Sequence, residues 1–185
     1  MAAIERVGEG GRTRVRVAVA GNGDAAVETG IPLVDHLLRL LAEYASFDLE
    51  LQVAPGSALE EIRAAGHALG DALRAPLTTP PARGHGSSAI PAAEALAHVA
   101  LEAAGEPLVV ANVDLTAANV AGLGSDVLRS FLEGLAAGAG LTLHVRLIEG
   151  RETEHVLEAI FKGLGVALAQ ACRPRRRLEE EPHGR

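Results

Sequence analysis

LTLHVRLIEGRETEHVLEAIFKGLGVAL, residues Leu141–Leu168, changes its hydrophobic period halfway along. Leu141, Leu143, Val145 and Leu147 alternate with Thr142, His144, Arg146 and Ile148, which predicts a strand with one apolar face and His144 on the other. Glu149-Gly150-Arg151 predicts a turn. Beyond it Leu157, Ile160, Phe161, Leu164 and Leu168 recur at helical spacing, with Glu154, His155, Glu158 and Lys162 on the opposite face. Glu154 and Glu158 stand four apart and His155 and Glu158 three apart, so all three can face one spot. Two carboxylates and an imidazole there, near His144, form a donor set for a borderline metal ion. A solvated helix face is the plain alternative, and the stretch alone leaves both readings open.

Working outward, the strand–helix unit has a counterpart. LLAEYASFDLELQV (Leu40–Val53) lies over GLAAGAGLTLHVRL (Gly134–Leu147), and LEEIRAAGHALGDAL (Leu59–Leu73) over EHVLEAIFKGLGVAL (Glu154–Leu168). Each half is expected to run strand, strand, helix, strand, helix. The fold class is therefore α+β: two duplicated half-domains, each a small, mostly antiparallel sheet with two covering helices, joined in one domain over residues 1–172. The repeats cover about 4–82 and 91–172. Residues 173–185, RPRRRLEEEPHGR, are expected to be a disordered charged tail. The metal-like trio of the second half corresponds to Leu59, Glu60 and Arg63 in the first.

The chain has 185 residues, 48% of them hydrophobic and 2% aromatic, so the core must be aliphatic. Seventeen Lys and Arg against 24 Asp and Glu give a net charge of -7, which argues against nucleic acid as a partner. Cys172 is the single cysteine, so no intrachain disulfide can form, which fits a reducing cytosol. No apolar run is read as spanning a bilayer and no leader is read at the N-terminus, so a cytoplasmic protein is expected. Along the chain, Arg12–Ala20 reads as a half-buried strand and Gly21-Asn22-Gly23-Asp24 as a hairpin turn into a return strand, Ala25–Glu28. Thr29 is the candidate cap of a helix from Pro32 to Tyr44. Phe47–Val53 reads as a strand, and Leu59–Arg74 as a helix stopped at Ala75-Pro76. Ala82–Ile90 reads as a loop, Pro91–Val99 as helix or strand, Leu108–Leu115 as a strand and Leu123–Ala137 as a helix. His67 and His98 carry no motif and take structural readings, His85 reads as a loop residue with a phosphate contact as the alternative, Cys172 reads as an idle thiol with reactivity as the alternative, and Gly84 and Gly86 do not form a phosphate loop.

Two segments carry a family resemblance. ETGIPLVDHL (Glu28–Leu37) resembles the DTGI-x-F-x-DHM stretch of imidazoleglycerol-phosphate dehydratases, and Ala139–Leu168 is similar to that family's AGLTLHI-x-x-x-G-x-NxHHxxEAxFKALxxAL. The resemblance implies duplicated α+β halves and an enzyme of histidine biosynthesis that removes water from imidazole glycerol phosphate to give imidazole acetol phosphate. It implies two manganese ions per site between subunits of a homo-oligomer, usually of 24 subunits. Those ions are held by two HHxxE motifs and by the DHM and TLH histidines, and they grip the substrate ring as an imidazolate.

Carried over residue by residue, the resemblance assigns His36, His144, His155 and Glu158 as metal ligands and Arg83 as a substrate-phosphate arginine. It also marks departures. Glu154 stands where the second HHxxE has its first histidine. Leu59, Glu60 and Arg63 replace the whole first motif, and Arg63 opposes a cation. Glu106 replaces the SGRP arginine. Gly10 and Gly11 stand for an N-terminal Glu-Thr downstream of Arg6. Ala93 replaces the aspartate of PMDEAL, next to Glu94, and the STKG segment is absent. Manganese is thus the expected cofactor, with one ion or none retained, and no catalytic residue is assigned. Three functions follow from this pattern. One is a divergent active dehydratase with Glu60 and Glu154 as substitute ligands. Another is a non-catalytic relative that keeps fold and assembly as a scaffold or partner. The third is a different metal- or anion-binding role for the surviving residues.

Overall fold

A computed structural model describes residues 2–8, 11–113 and 126–175, with side chains from 13 to 113 and from 127 to 175. The first half runs β1 (Ala2–Gly8), β2 (Gly11–Ala18), β3 (Ala25–Glu28), α1 (Pro32–Ala45), β4 (Asp48–Gln52) and α2 (Ala58–Thr78). The second runs β5 (His85–Ala92), β6 (Ala95–Glu102), β7 (Leu108–Ala111), α3 (Asp126–Ala139), β8 (Thr142–Glu149) and α4 (Thr153–Cys172). The sheets repeat the same order, β1-β2-β4-β3 and β5-β6-β8-β7, each antiparallel except for its last pair. The duplicated α+β architecture is thus present with one more strand per half than the periodicity indicates.

The alternating strands explain the layering. Val15, Val17, Leu49 and Leu51 of the first sheet and Leu101, Leu143 and Val145 of the second are buried, while Arg16, Glu50, His144 and Arg146 face outward. The helices lie between the two apolar faces, α1 against α4 and α2 against α3, in one continuous core. Phe131 and Phe161 join α3 to α4 with ring centroids 5.1 Å apart. At the α2–α3 crossing the helices touch backbone to backbone: a Cβ on Gly66 would lie 2.3 Å from the Phe131 carbonyl oxygen, and one on Gly138 2.3 Å from that of His67. At the α1–α4 crossing only Gly165 plays this part, with its Cβ position 2.4 Å from the Leu41 oxygen. By length and composition α4 is long and apolar enough to cross a membrane, yet its apolar side chains, Val156 to Ala171, are core residues packed on α1, β5 and β6.

Four local expectations are corrected. The Gly21–Asp24 turn does not close a hairpin, because β4 inserts between β2 and β3. Asp48 Oδ1 accepts the Asn22 amide at 2.7 Å and Ser46 O accepts the Gly21 amide at 2.9 Å, which draws the turn across the end of β4. Ala82–Ile90 is not a loop but mostly β5: Gly86, Ser87 and Ser88 belong to a strand paired along its length with β6, and Gly86 lets it press on the Ala167 carbonyl of α4. The helix read as stopping at Arg74 continues through Pro76 to Thr78, whose hydroxyl donates to the Arg74 carbonyl. The charged tail is tied down at its start, where Arg173 O accepts the Arg83 amide and the Arg175 amide donates to Pro81 O. Residues 114–125 and 176–185, which include the ends of the Leu108–Leu115 and Leu123–Ala137 readings and most of the tail, lie outside the described residues, as do Gly10 and the Arg6 side chain.

Candidate metal-binding site

The entry to α1 is fixed before His36 is placed. Ile31, not Thr29, is the N-cap residue; the Thr29 amide and hydroxyl both donate to Asp35 Oδ1, at 2.8 and 2.6 Å, and Pro32 supplies the first turn. Val34, Leu37, Leu38 and Leu41 then turn inward and His36 outward. Because α1 packs on α4, His36 meets Glu158 across the interface, with Nε2 and Oε1 3.0 Å apart. Lys162, one turn further along α4, donates to Glu158 Oε2 at 3.1 Å and lies 5.7 Å from the Tyr44 ring centroid. The His36 hydrogen bond, with Lys162 adding to it, holds the Glu158 carboxyl below its usual range against the opposing effect of burial.

The helical trio does not converge within one chain. His155 turns away from Glu158 to the β5–β6 turn, where its Nδ1 lies 2.5 Å from Glu94 Oε2. Glu94 Oε1 also accepts the backbone amides of Arg151, at 3.2 Å, and Glu152, at 2.9 Å, so it closes the N-terminus of α4. Those amides, first Glu152 and then Arg151, together with His155 pull the Glu94 carboxyl down to about 2. Glu154 is exposed and has no hydrogen bond or ion pair among the described residues. A shared spot fails because i, i+3 and i+4 spacing sets only the face, while neighbours on two different elements claim His155 and Glu158 separately.

His144 stands elsewhere, on the outer face of the second sheet. It lines an open 550 Å³ cleft with Arg83, His85, Ser87, Glu102 and Thr142. Arg83 Nε donates to His85 Nε2 at 3.0 Å. Two residues assigned by resemblance, His144 and Arg83, therefore share a cleft, and His85, read as a loop residue with a phosphate contact as the alternative, joins them.

The first-half counterpart is built of different contacts. Glu60 Oε2 accepts the Ser57 hydroxyl at 2.7 Å and the Ser57 amide at 3.2 Å, a capping box at the start of α2. Arg63 pairs with Glu133 of α3 at 3.7 Å, and Leu59 is 47% exposed. The repeat thus sets an arginine–carboxylate pair between α2 and α3 where the second half has a histidine–carboxylate pair between α1 and α4. Glu106 sits in an exposed turn, and its backbone oxygen accepts the Thr142 hydroxyl at 3.4 Å. Among the described residues no three His, Cys, Asp or Glu side chains gather as a single-chain metal cage would require. A partial fit does exist: 3.0 Å between His36 and Glu158 matches the ~3 Å between adjacent donors of an octahedral ion with bonds of about 2.1 Å. Sequence reasoning placed Lys162 on the same helix face as Glu158 but did not find the roles of Lys162 and Glu94. The Glu94 contact with His155 has no sequence signal, since 61 residues separate the two.

The family model for imidazoleglycerol-phosphate dehydratase matches residues 29–168. A protein of that name from Desulfitobacterium hafniense is 37% identical over 185 residues, covering 95% of this chain and 92% of its own. One from Desulforudis audaxviator is 35% identical over 164 residues, covering 86% and 84%. The crystal structure of the Pyrococcus furiosus protein superimposes with a TM-score of 0.83 at 27% identity, covering 95% of this chain and 97% of that one. The duplicated sheets and these matches place the chain in the imidazoleglycerol-phosphate dehydratase family.

Proposed function

We propose that this chain is a protein of histidine biosynthesis that keeps one of its family's two metal half-sites and does not by itself carry out the dehydration of imidazole glycerol phosphate. The observation that carries the reading is the contrast between equivalent positions. His36 and Glu158 keep donor spacing at 3.0 Å, whereas Arg63 faces Glu133 at 3.7 Å on the surface and Glu60 caps α2 through Ser57. His36 and Glu158 would supply two adjacent donors to one divalent cation, with manganese the first candidate because the set mixes imidazole with carboxylate, and His155, turned away from that pair, would bind together with donors of a neighbouring copy. His144 lies on a different face, so it would serve a site completed by a second copy in a homo-oligomer. When bound, the cation would stabilise negative charge on a substrate imidazole ring. Arg83, beside His85 in the outer cleft, supplies positive charge for a phosphate end. With Arg63 in the place of a carboxylate, a second cation meets a like charge, and a ring held from one side alone is poorly prepared for proton loss.

The test is metal analysis of the purified protein after manganese loading, followed by the dehydratase assay. One ion per chain without turnover is expected, with turnover restored when a family member bearing both HHxxE motifs co-assembles with it. Two ions per chain with turnover by this chain alone would overturn the reading. One observation favours a second reading, an active enzyme with a carboxylate ligand in place of a histidine: Glu154 is exposed and unengaged. In that case Glu154→Ala would abolish a measurable activity.

A further inference from the structure

We infer that Glu94 is a positioning residue that fixes which ring nitrogen of His155 carries the proton, leaving the lone pair on Nε2 free to bind outward. The inference rests on the half-site reading above for its metal consequence, but not for the tautomer itself. The argument is one of donors and acceptors. The amides of Arg151 and Glu152 can only donate, so Glu94 Oε1 must accept both. Glu94 is a carboxylate, so Oε2 also accepts, and the proton between it and His155 belongs to Nδ1. In a neutral ring the lone pair then lies on Nε2, which has no hydrogen-bond partner among the described residues. The His155 side chain is 39% exposed, so that lone pair can be reached from outside.

The backbone is shaped to bring Glu94 there. Ala92 and Ala95 pair across a two-residue turn, and Ala93 takes a left-handed φ of 48° to make it. Such a conformation is costly for an alanine and persists where its surroundings require it. Here it presents the Glu94 carboxylate to the start of α4 and to His155 together. A carboxylate–histidine pair that sets the outward nitrogen is the arrangement that raises the basicity and fixes the orientation of a metal-binding imidazole.

Glu94→Gln separates this role from mere capping. Glutamine has one accepting oxygen and one NH₂ group. If its oxygen keeps the two α4 amides, its NH₂ faces His155 Nδ1, which must then accept, and the ring proton moves to Nε2. The experiment is a two-bond ¹H–¹⁵N correlation of the histidine rings in the metal-free full chain at alkaline pH, with His155 assigned through His155→Gln. The wild type is expected to show the proton on Nδ1 and Glu94→Gln to show it on Nε2, with manganese affinity roughly ten- to a hundredfold weaker. A wild-type ring protonated on Nε2, or a Glu94→Gln ring still protonated on Nδ1, overturns the inference. The wild-type spectrum decides alone if the variant does not fold. A tautomer switch with no manganese bound by either protein upholds the inference and rejects the half-site reading instead.

Discussion

Gly165→Ala tests whether packing at the α1–α4 crossing sets the metal half-site. The new Cβ would stand 2.4 Å from the Leu41 carbonyl oxygen, while real Cβ contacts stay beyond 3.0 Å. The obstacle is backbone, so the helices must separate by at least about 0.6 Å, since an interior of native density has no slack to absorb it. Overpacking of this kind costs about 1–3 kcal/mol. The better helix propensity of alanine returns up to about 1 kcal/mol. A net loss of about 1–2 kcal/mol lowers the melting temperature by about 2–8 °C for a chain of this length. The same displacement stretches the 3.0 Å span between His36 and Glu158 past the ~3 Å of adjacent octahedral donors, so manganese affinity should fall at least about tenfold. The control is Gly66→Ala at the α2–α3 crossing, where the Cβ would be 2.3 Å from the Phe131 oxygen but no surviving ligand is near. Thermal melting and manganese titration of both variants give the answer. Gly165→Ala should lose stability and affinity, and Gly66→Ala stability alone. Equal affinity losses in the two variants, or none in Gly165→Ala, would refute the link between the crossing and the site.

Further outcomes follow from other positions. Leu59→His, Glu60→His and Arg63→Glu combined should rebuild the missing motif, raising bound manganese from one ion per chain to two by elemental analysis at some cost in metal-free melting temperature. Ala93→Gly relieves the left-handed φ of 48° and should stabilise the fold by about 0.5–1 kcal/mol in urea unfolding, with the histidine spectrum unchanged. Burial pushes the Cys172 thiol up to about 12, so alkylation by iodoacetamide in the folded state should stay slow up to mildly alkaline pH. Rapid labelling near neutrality would contradict that burial.

The parts that were legible in the sequence are those in which one residue's environment follows from its near neighbours. The alternation of Leu141 to Leu147 and the apolar stripe of α4 fix a strand and a helix, and the offset between the halves fixes their duplication. Where a remote element decides, local reading fails. β5 is a strand because β6 pairs with it and α4 receives Gly86, and neither cause lies in its Gly- and Ser-rich composition. β4 separates β2 from β3, which an Asn-Gly turn considered alone cannot reveal. The site follows the same rule. Helical spacing places His155 and Glu158 on one face, but Glu94 and His36, from two other elements, decide where each points. Leu59 and Arg63 were legible as poor partners for a cation. The engagements of Glu60 and Arg63, a helix cap and an ion pair to Glu133, needed coordinates.

The backbone just past α4 bears on where the chain can be shortened. Cutting after Cys172, the boundary that the charge pattern suggests, would strip Arg83 of the carbonyl that accepts its amide and Pro81 of the amide it accepts, and would remove the bridge from Ala82 to Pro174. Those bonds anchor the linker between the two repeats, and Arg83 starts the segment that leads into the outer cleft. A trimmed version ending at Cys172 would therefore loosen the hinge between the duplicates, whereas one ending after Arg175 would keep it latched.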